Sequence, residues 1–208
     1  LSGAGSLLKS GAATLTLGGA NSLTGGLSIL GGTLALGAGG SLSPSAGITL
    51  SAGTNLDLSG AGTDQAIGSL AGLGGSLNLG AHTLTLNGLG DTSFAGSIAG
   101  TGGLVKLGTG IQTLAGASSF GGGVALNAGG LLLGDGAALG TGALSVGGNV
   151  SLDGTGALSL GNAVNLGAGG TLNLLGGQPL SFNGVISGAG ALVKTGGALL
   201  TLNGANTF

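Results

Sequence analysis

Cysteine, tryptophan, tyrosine, methionine, arginine and glutamate are all missing from this 208-residue chain, and three Lys, five Asp and one His are its only ionisable side chains. Each absence excludes something. With no cysteine there is neither a disulfide frame nor a thiolate metal site, and the composition suits a chain that stays unfolded while it crosses a membrane. Three lysines against a formal net charge of −2 cannot supply the many phosphate contacts that drive nucleic-acid binding, so nucleic acid is not an expected partner. A transmembrane barrel needs aromatic girdles, which a chain without Trp or Tyr cannot build. No apolar run approaches the ~18–20 residues of a membrane helix. Residues 1–30 lack the charged start, apolar block and cleavage site of a signal peptide. The segment itself is therefore expected to make no membrane contact. Two prolines and no strict Gly-X-Y period exclude collagen.

What is present is glycine and leucine. The 55 glycines would suggest disorder, but 42% hydrophobic residues and a mean hydropathy of +0.66 argue against it, because disordered chains are held open by polarity. Leucine, with some Val and Ile, must supply nearly the whole core, which is therefore thin and regular. Period-two alternation recurs in Thr14-Leu15-Thr16-Leu17, Asn55-Leu56-Asp57-Leu58, Ser76-Leu77-Asn78-Leu79, Thr83-Leu84-Thr85-Leu86 and Thr171-Leu172-Asn173-Leu174. Each reads as a short strand with leucine on one face. Gly-Gly, Gly-Ala-Gly and Asn-Gly groups between them permit sharp corners. No helix survives the glycines, not even over 135–144.

The chain also repeats itself. Its lysines fall at one place in a recurring phrase: Leu7-Leu8-Lys9-Ser10-Gly11, Leu104-Val105-Lys106-Leu107-Gly108 and Leu192-Val193-Lys194-Thr195-Gly196. Twelve residues beyond each lysine stands a polar pair closed by an apolar residue, namely Asn21-Ser22-Leu23, Ser118-Ser119-Phe120 and Asn206-Thr207-Phe208. Such copying suits a solenoid, in which each turn needs only its neighbours. The expected fold is all-β, a right-handed parallel β-helix (β-solenoid) of roughly ten coils, handed as parallel crossovers are. The repeat divides the single solenoid 1–208 into units 1–97, 98–185 and 186–208.

The lysines are 97 and 88 positions apart. The difference calls for a loop or a longer coil, and an 88-residue unit divides into four coils of about 22 residues or five of about 18. Because Leu1 and Phe208 fall mid-repeat and neither end carries a cap, the segment is expected to be a fragment of a longer polypeptide.

The phrase Gly188-Ala189-Gly190-Ala191-Leu192-Val193-Lys194-Thr195-Gly196, followed by Leu200-Thr201-Leu202-Asn203-Gly204-Ala205-Asn206-Thr207-Phe208, resembles the passenger-associated repeat of bacterial autotransporters. The first copy continues through Gly31-Gly32-Thr33-Leu34-Ala35-Leu36-Gly37, similar to the second half of that repeat. The resemblance covers 3–37, 100–134 and 188–208. It implies a β-helical passenger secreted through an outer-membrane barrel and displayed outside a Gram-negative cell, where adhesion or filament formation would be supported.

The residues offer little chemistry of their own. Asp135 and Asp153, eighteen positions apart, could stack on adjacent coils near the ~5 Å of paired carboxylates, but both stand in turn sequences. Asp57, Asp64 and Asp91 read as corners or outward strand positions. His82 heads a strand without Cys, His or Glu to complete a zinc set, and no serine has a nucleophile elbow around it. The lysines read as solubilising charges that discourage lateral pairing. No catalytic, cofactor-binding or metal residue is assigned. The expected role is a non-catalytic stalk of a secreted or surface-displayed protein. Its partners would be a host or neighbouring-cell surface met by other parts of the parent chain, or further copies of itself. The alternatives are a self-assembling extracellular fibre and, behind it, a polysaccharide-active β-helix enzyme.

Overall fold

Strand and corner alternate along the whole chain in the computed structural model, which describes all of Leu1–Phe208. All of the strand pairings are parallel, and the structure contains no helix. Successive strands visit three sides in turn, so the molecule is a three-sided β-solenoid. One side is an unbroken ten-stranded sheet running from Leu7–Lys9 to Ala191–Lys194. The second carries a five-stranded sheet from Thr14–Leu17 to Ser97–Ala99, and later a three-stranded one of Leu158–Leu160, Leu180–Phe182 and Leu200–Leu202. The third begins with Ser2–Gly3 beside Ser22–Leu23, and then forms a seven-stranded sheet from Gln65–Ile67 to Ile186–Gly188. Ten rungs on the first side give the ten coils that the sequence predicts.

Period two is what builds these strands. In Gly47–Leu50 and Thr171–Leu174 every second residue is buried, and Asn149–Gly154 alternates over six positions. Stacking converts the alternation into columns of like residues. Leu34 pairs with Leu56, Leu56 with Leu77, and Leu77 with Ile98. The inward columns of all three sides merge into one cluster of 39 buried residues. The core is continuous across the sequence boundaries at 97 and 185, so the repeat units are not separate structural bodies.

The coil length reaches the longer of the two expected values but is not fixed at it. Leu7 pairs with Leu27, Ile48 with Leu70, Ile111 with Gly130, and Leu172 with Leu192, which gives coils of about 19 to 22 residues. The repeat is not a whole number of such coils. Lys9 lies on the first side, Lys106 on the third and Lys194 on the first again. The chain passes four complete coils and two more sides between the first two lysines, and four coils and one side between the last two. About six of the nine extra residues are the additional side of the solenoid, and the rest come from slightly longer coils in the first interval.

Three of the four Phe are fully buried: Phe94, Phe120 and Phe182. Phe120 fills the stretch of the second side where no strand pairs, between the five- and three-stranded sheets. Gly140 of the next coil lies directly over it. A Cβ there would stand 2.3 Å from the Phe120 carbonyl oxygen and 2.9 Å from the ring, and the backbone has φ +66°. Only glycine allows so close an approach with that turn.

Candidate functional site

The recurring phrase is a constellation that the chain builds three times, and its chemistry is directed at its own backbone. Lys9 and Lys106 occupy inward strand positions, opposite Ile29 and Leu126, and are 6% and 3% exposed. Their stems run in the aliphatic columns and their ammonium groups reach the corner that follows. Lys9 Nζ donates to the carbonyls of Ser10 (3.2 Å), Gly11 (2.8 Å) and Gly31 (2.8 Å), the last on the next coil. Lys106 Nζ donates to the Gly108 carbonyl. Lys194 repeats the arrangement on Thr195 (3.0 Å) and Gly196 (2.9 Å). The sequence reading of solubilising surface lysines is therefore corrected for Lys9 and Lys106, whose ammonium groups clamp corner carbonyls that have no ladder partner; Lys194, in the last coil, makes the same bonds but is exposed. Burial holds Lys106 below the ordinary lysine range, and the Asp91 charge opposes that in part.

The polar pair twelve residues on completes the unit. Its first member reaches a main-chain nitrogen one coil back: Asn21 Oδ1 accepts from the Leu1 terminal ammonium (3.1 Å), Ser118 Oγ from the Ile98 amide (3.1 Å) and Asn206 Oδ1 from the Ile186 amide (2.8 Å). Asn21 Nδ2 and Ser118 Oγ also donate to the carbonyls of Gly19 (2.6 Å) and Gly116 (3.4 Å). Lysine clamp and polar staple thus satisfy corner groups that no strand partner reaches.

The family model described as the passenger-associated-transport-repeat matches residues 7–36, 104–133 and 192–208, so each match opens within a lysine-bearing strand. The chain carries autotransporter passenger repeats. Neither the curated proteins nor the solved structures contain a significant match.

Seen in the coils, one passenger repeat is about one and a half turns that pair with themselves. Within 7–36, Leu7–Lys9 pairs with Leu27–Ile29 and Thr14–Leu17 with Thr33–Leu36. Within 104–133, Leu104–Lys106 pairs with Val124–Leu126 and Ile111–Leu114 with Gly130–Leu133. The clamp, the staple and the second rung therefore belong to the same repeat. Replacing Ser118 by Ala orphans the buried Ile98 amide and is expected to cost about 1–3 kcal/mol. Ser118→Asn, which installs the residue that the other two repeats use, is expected to retain most of the stability. Urea unfolding of the two variants checks the pair.

The aspartates follow the same logic. Asp57 Oδ1 accepts from the Ser59 amide (3.0 Å) and from Asn78 Nδ2 (2.9 Å), Asp64 from the Thr83 amide (2.8 Å) and Asp91 from the Ile111 amide (2.7 Å). Asp135 closes a turn on the Ala137 amide (2.7 Å). Asp153 bonds the amides of Gly154 (2.9 Å) and Gly177 (3.0 Å) and stands opposite Leu132 rather than Asp135. The structure therefore does not bring Asp135 and Asp153 together as a pair. His82 is not on a strand. It is half-buried in the turn before Leu84–Leu86, with Nδ1 3.9 Å from Asp64 Oδ1.

Sequence reasoning missed the buried polar residues outside the lysine clamp and the polar staple. Gln112 is 2% exposed in a leucine column, and its Nε2 donates to the Leu70 (3.0 Å) and Thr113 (3.0 Å) carbonyls. Asn162 Nδ2 spans the Gly140 (3.0 Å) and Gly142 (2.6 Å) carbonyls. The available signal was a lone amide at an otherwise apolar period-two position.

Proposed function

We propose that this passenger segment is a non-catalytic shaft, secreted and displayed at the surface of a bacterial cell, and that it holds other parts of its parent protein at a distance for adhesion or filament formation. One observation carries the reading: every lysine and every aspartate is engaged with the main chain. Four of the five aspartates and all three polar staples tie one coil to the next. A surface that turns its charges onto its own backbone has little left for substrate, whereas a rod loaded along its axis needs such ties. The partners are a host or neighbouring-cell surface, met by the rest of the parent protein, and not nucleic acid. The passenger repeats support the secreted placement, and the stacked columns support the mechanical role.

The test is biochemical and hydrodynamic together. The purified segment is expected to sediment as an elongated monomer across a wide concentration range and to leave acidic and neutral polysaccharides uncleaved. Polysaccharide cleavage that vanishes on Asp→Asn substitution would overturn the shaft reading. Scattering that grows with concentration would favour the fibre instead.

A further inference from the structure

We propose that Asn87–Gly88 is a site of spontaneous covalent modification, where the asparagine loses ammonia through a succinimide while the rod remains folded. The chain holds three Asn-Gly pairs, at 87–88, 183–184 and 203–204. All three stand at a corner directly after a strand, Asn87 after the third side and Asn183 and Asn203 after the second. Each asparagine follows a strand and donates its backbone amide to the coil before: Asn87 to Ile67 (2.9 Å), Asn183 to Leu160 (2.9 Å) and Asn203 to Phe182 (2.8 Å). In each pair the glycine N–H donates to no protein acceptor, so the nucleophile is free. Stacking also requires the glycine: a Cβ at 88, 184 or 204 would meet a carbonyl oxygen of the preceding coil at 2.6, 2.2 or 2.3 Å. The fold thus places the least hindered nucleophile of the twenty residues beside each of these side-chain amides.

The three differ in how the side chain is held. Asn183 is fixed from both sides, since its Nδ2 donates to Ser159 Oγ (2.8 Å) and its Oδ1 accepts from Asn203 Nδ2 (2.8 Å). Turning its carboxamide carbon towards the Gly184 nitrogen breaks this ladder. Asn87 has only a 3.4 Å contact from Nδ2 to the Pro44 carbonyl two coils away. It lines a groove of about 540 Å3 together with Ser45, Ser69 and Asp91. The adjoining corner is open: Leu89 is 79% exposed, and a Cβ at Gly90 would meet nothing within 4 Å. Water and room to rotate are both at hand.

In the reaction the Gly88 nitrogen attacks the Asn87 side-chain carbonyl carbon. A new C–N bond forms, the bond to the side-chain nitrogen breaks, and ammonia leaves with the proton from the glycine amide. Water then opens the five-membered imide at either carbonyl, giving aspartate or isoaspartate. No oxidant, enzyme or cofactor enters. The product adds one negative charge beside Asp91, and the isoaspartate form lengthens the main chain of that corner by one carbon.

Incubation of the folded segment in mildly alkaline buffer, followed by peptide mass spectrometry with isoaspartate detection, tests this. Residue 87 is expected to convert about three- to tenfold faster than 183, the factor that one hydrogen bond of ordinary net strength represents. In denaturant the 87 and 183 rates are expected to converge, because the sequence pair is the same. Asn87→Gln should abolish conversion at that corner. Conversion at 183 as fast as at 87 in the folded rod, or no conversion at 87, would overturn the proposal.

Discussion

Phe120→Ala is expected to remove about 3–5 kcal/mol from the stability of the rod, the loss typical of a phenylalanine whose site cannot collapse. Collapse is blocked from above. Gly140 has no side chain to move into the void, and its backbone is held by a turn with φ +66°. The local sheet cannot compensate, because the second side has no strand pairing at this height. A solenoid couples each coil only to its neighbours, so a weakened coil in mid-rod should also divide the cooperative unit. Urea unfolding is therefore expected to pass from one transition to two in Phe120→Ala. Phe120→Leu, which installs the size found at Leu23 in the first repeat, should cost less than about 1.5 kcal/mol. A single transition with an unchanged midpoint for the alanine variant would show that the ring is not the keystone of that coil.

Lys106 supplies the second large effect, and its size depends on pH. Lys106→Ala removes a buried stem from the column of Leu86 and Leu126 and leaves the Gly108 carbonyl without its donor; the expected cost is about 2–4 kcal/mol. Lys106→Met keeps the stem and should recover at least half of that loss. The charge is read separately. Burial lowers the folded-state pKa of Lys106, with Asp91 opposing. Between that depressed value and the ordinary lysine value the unfolded chain binds more protons than the folded one, so stability rises with pH across that window. At lower pH both states are protonated and the desolvation cost is fully present. The sequence contains no Tyr, Cys or Arg, so only lysines and an amino terminus titrate on the alkaline side. Urea midpoints measured as the pH is raised towards the ordinary lysine value should climb in the parent and flatten in Lys106→Met. Equal slopes in the two proteins would mean that the ammonium is hydrated and the clamp is loose.

Much of this architecture could be read before any coordinates, for a physical reason. A strand of three or four residues with leucine at alternate positions has one way to bury them, and a glycine corner after each leaves coiling as the only continuation. Thr14–Leu17 and Asn55–Asp57 fell where the alternation put them. Coil length was harder, because the sequence repeat and the structural turn are different periods. The lysine phrase recurs only after four coils and part of another, and the eye divides such a distance by whole numbers. The shorter period was nevertheless present inside the repeat, in the twenty positions from Leu7 to Leu27 and from Leu104 to Val124. The lysines were misread for a related reason. Charge suggests solvent, yet Lys9 and Lys106 stand two residues after inward leucines and share their face. The aspartates went to turns and outward positions as their neighbours suggested, because Gly-Asp-Gly has no inward face to serve.

The fractional step of the repeat has a geometric consequence for a rod built this way. Adding or deleting the stretch between two lysine phrases lengthens or shortens the shaft and also turns everything beyond it by one side, in one sense for the 97-residue interval and in the other for the 88-residue interval. Length and azimuth are therefore geared together, as pitch and rotation are in a screw. Two such parent proteins that differed by a single interval would present the same tip along different bearings, and restoring the bearing would take a second interval of the complementary length.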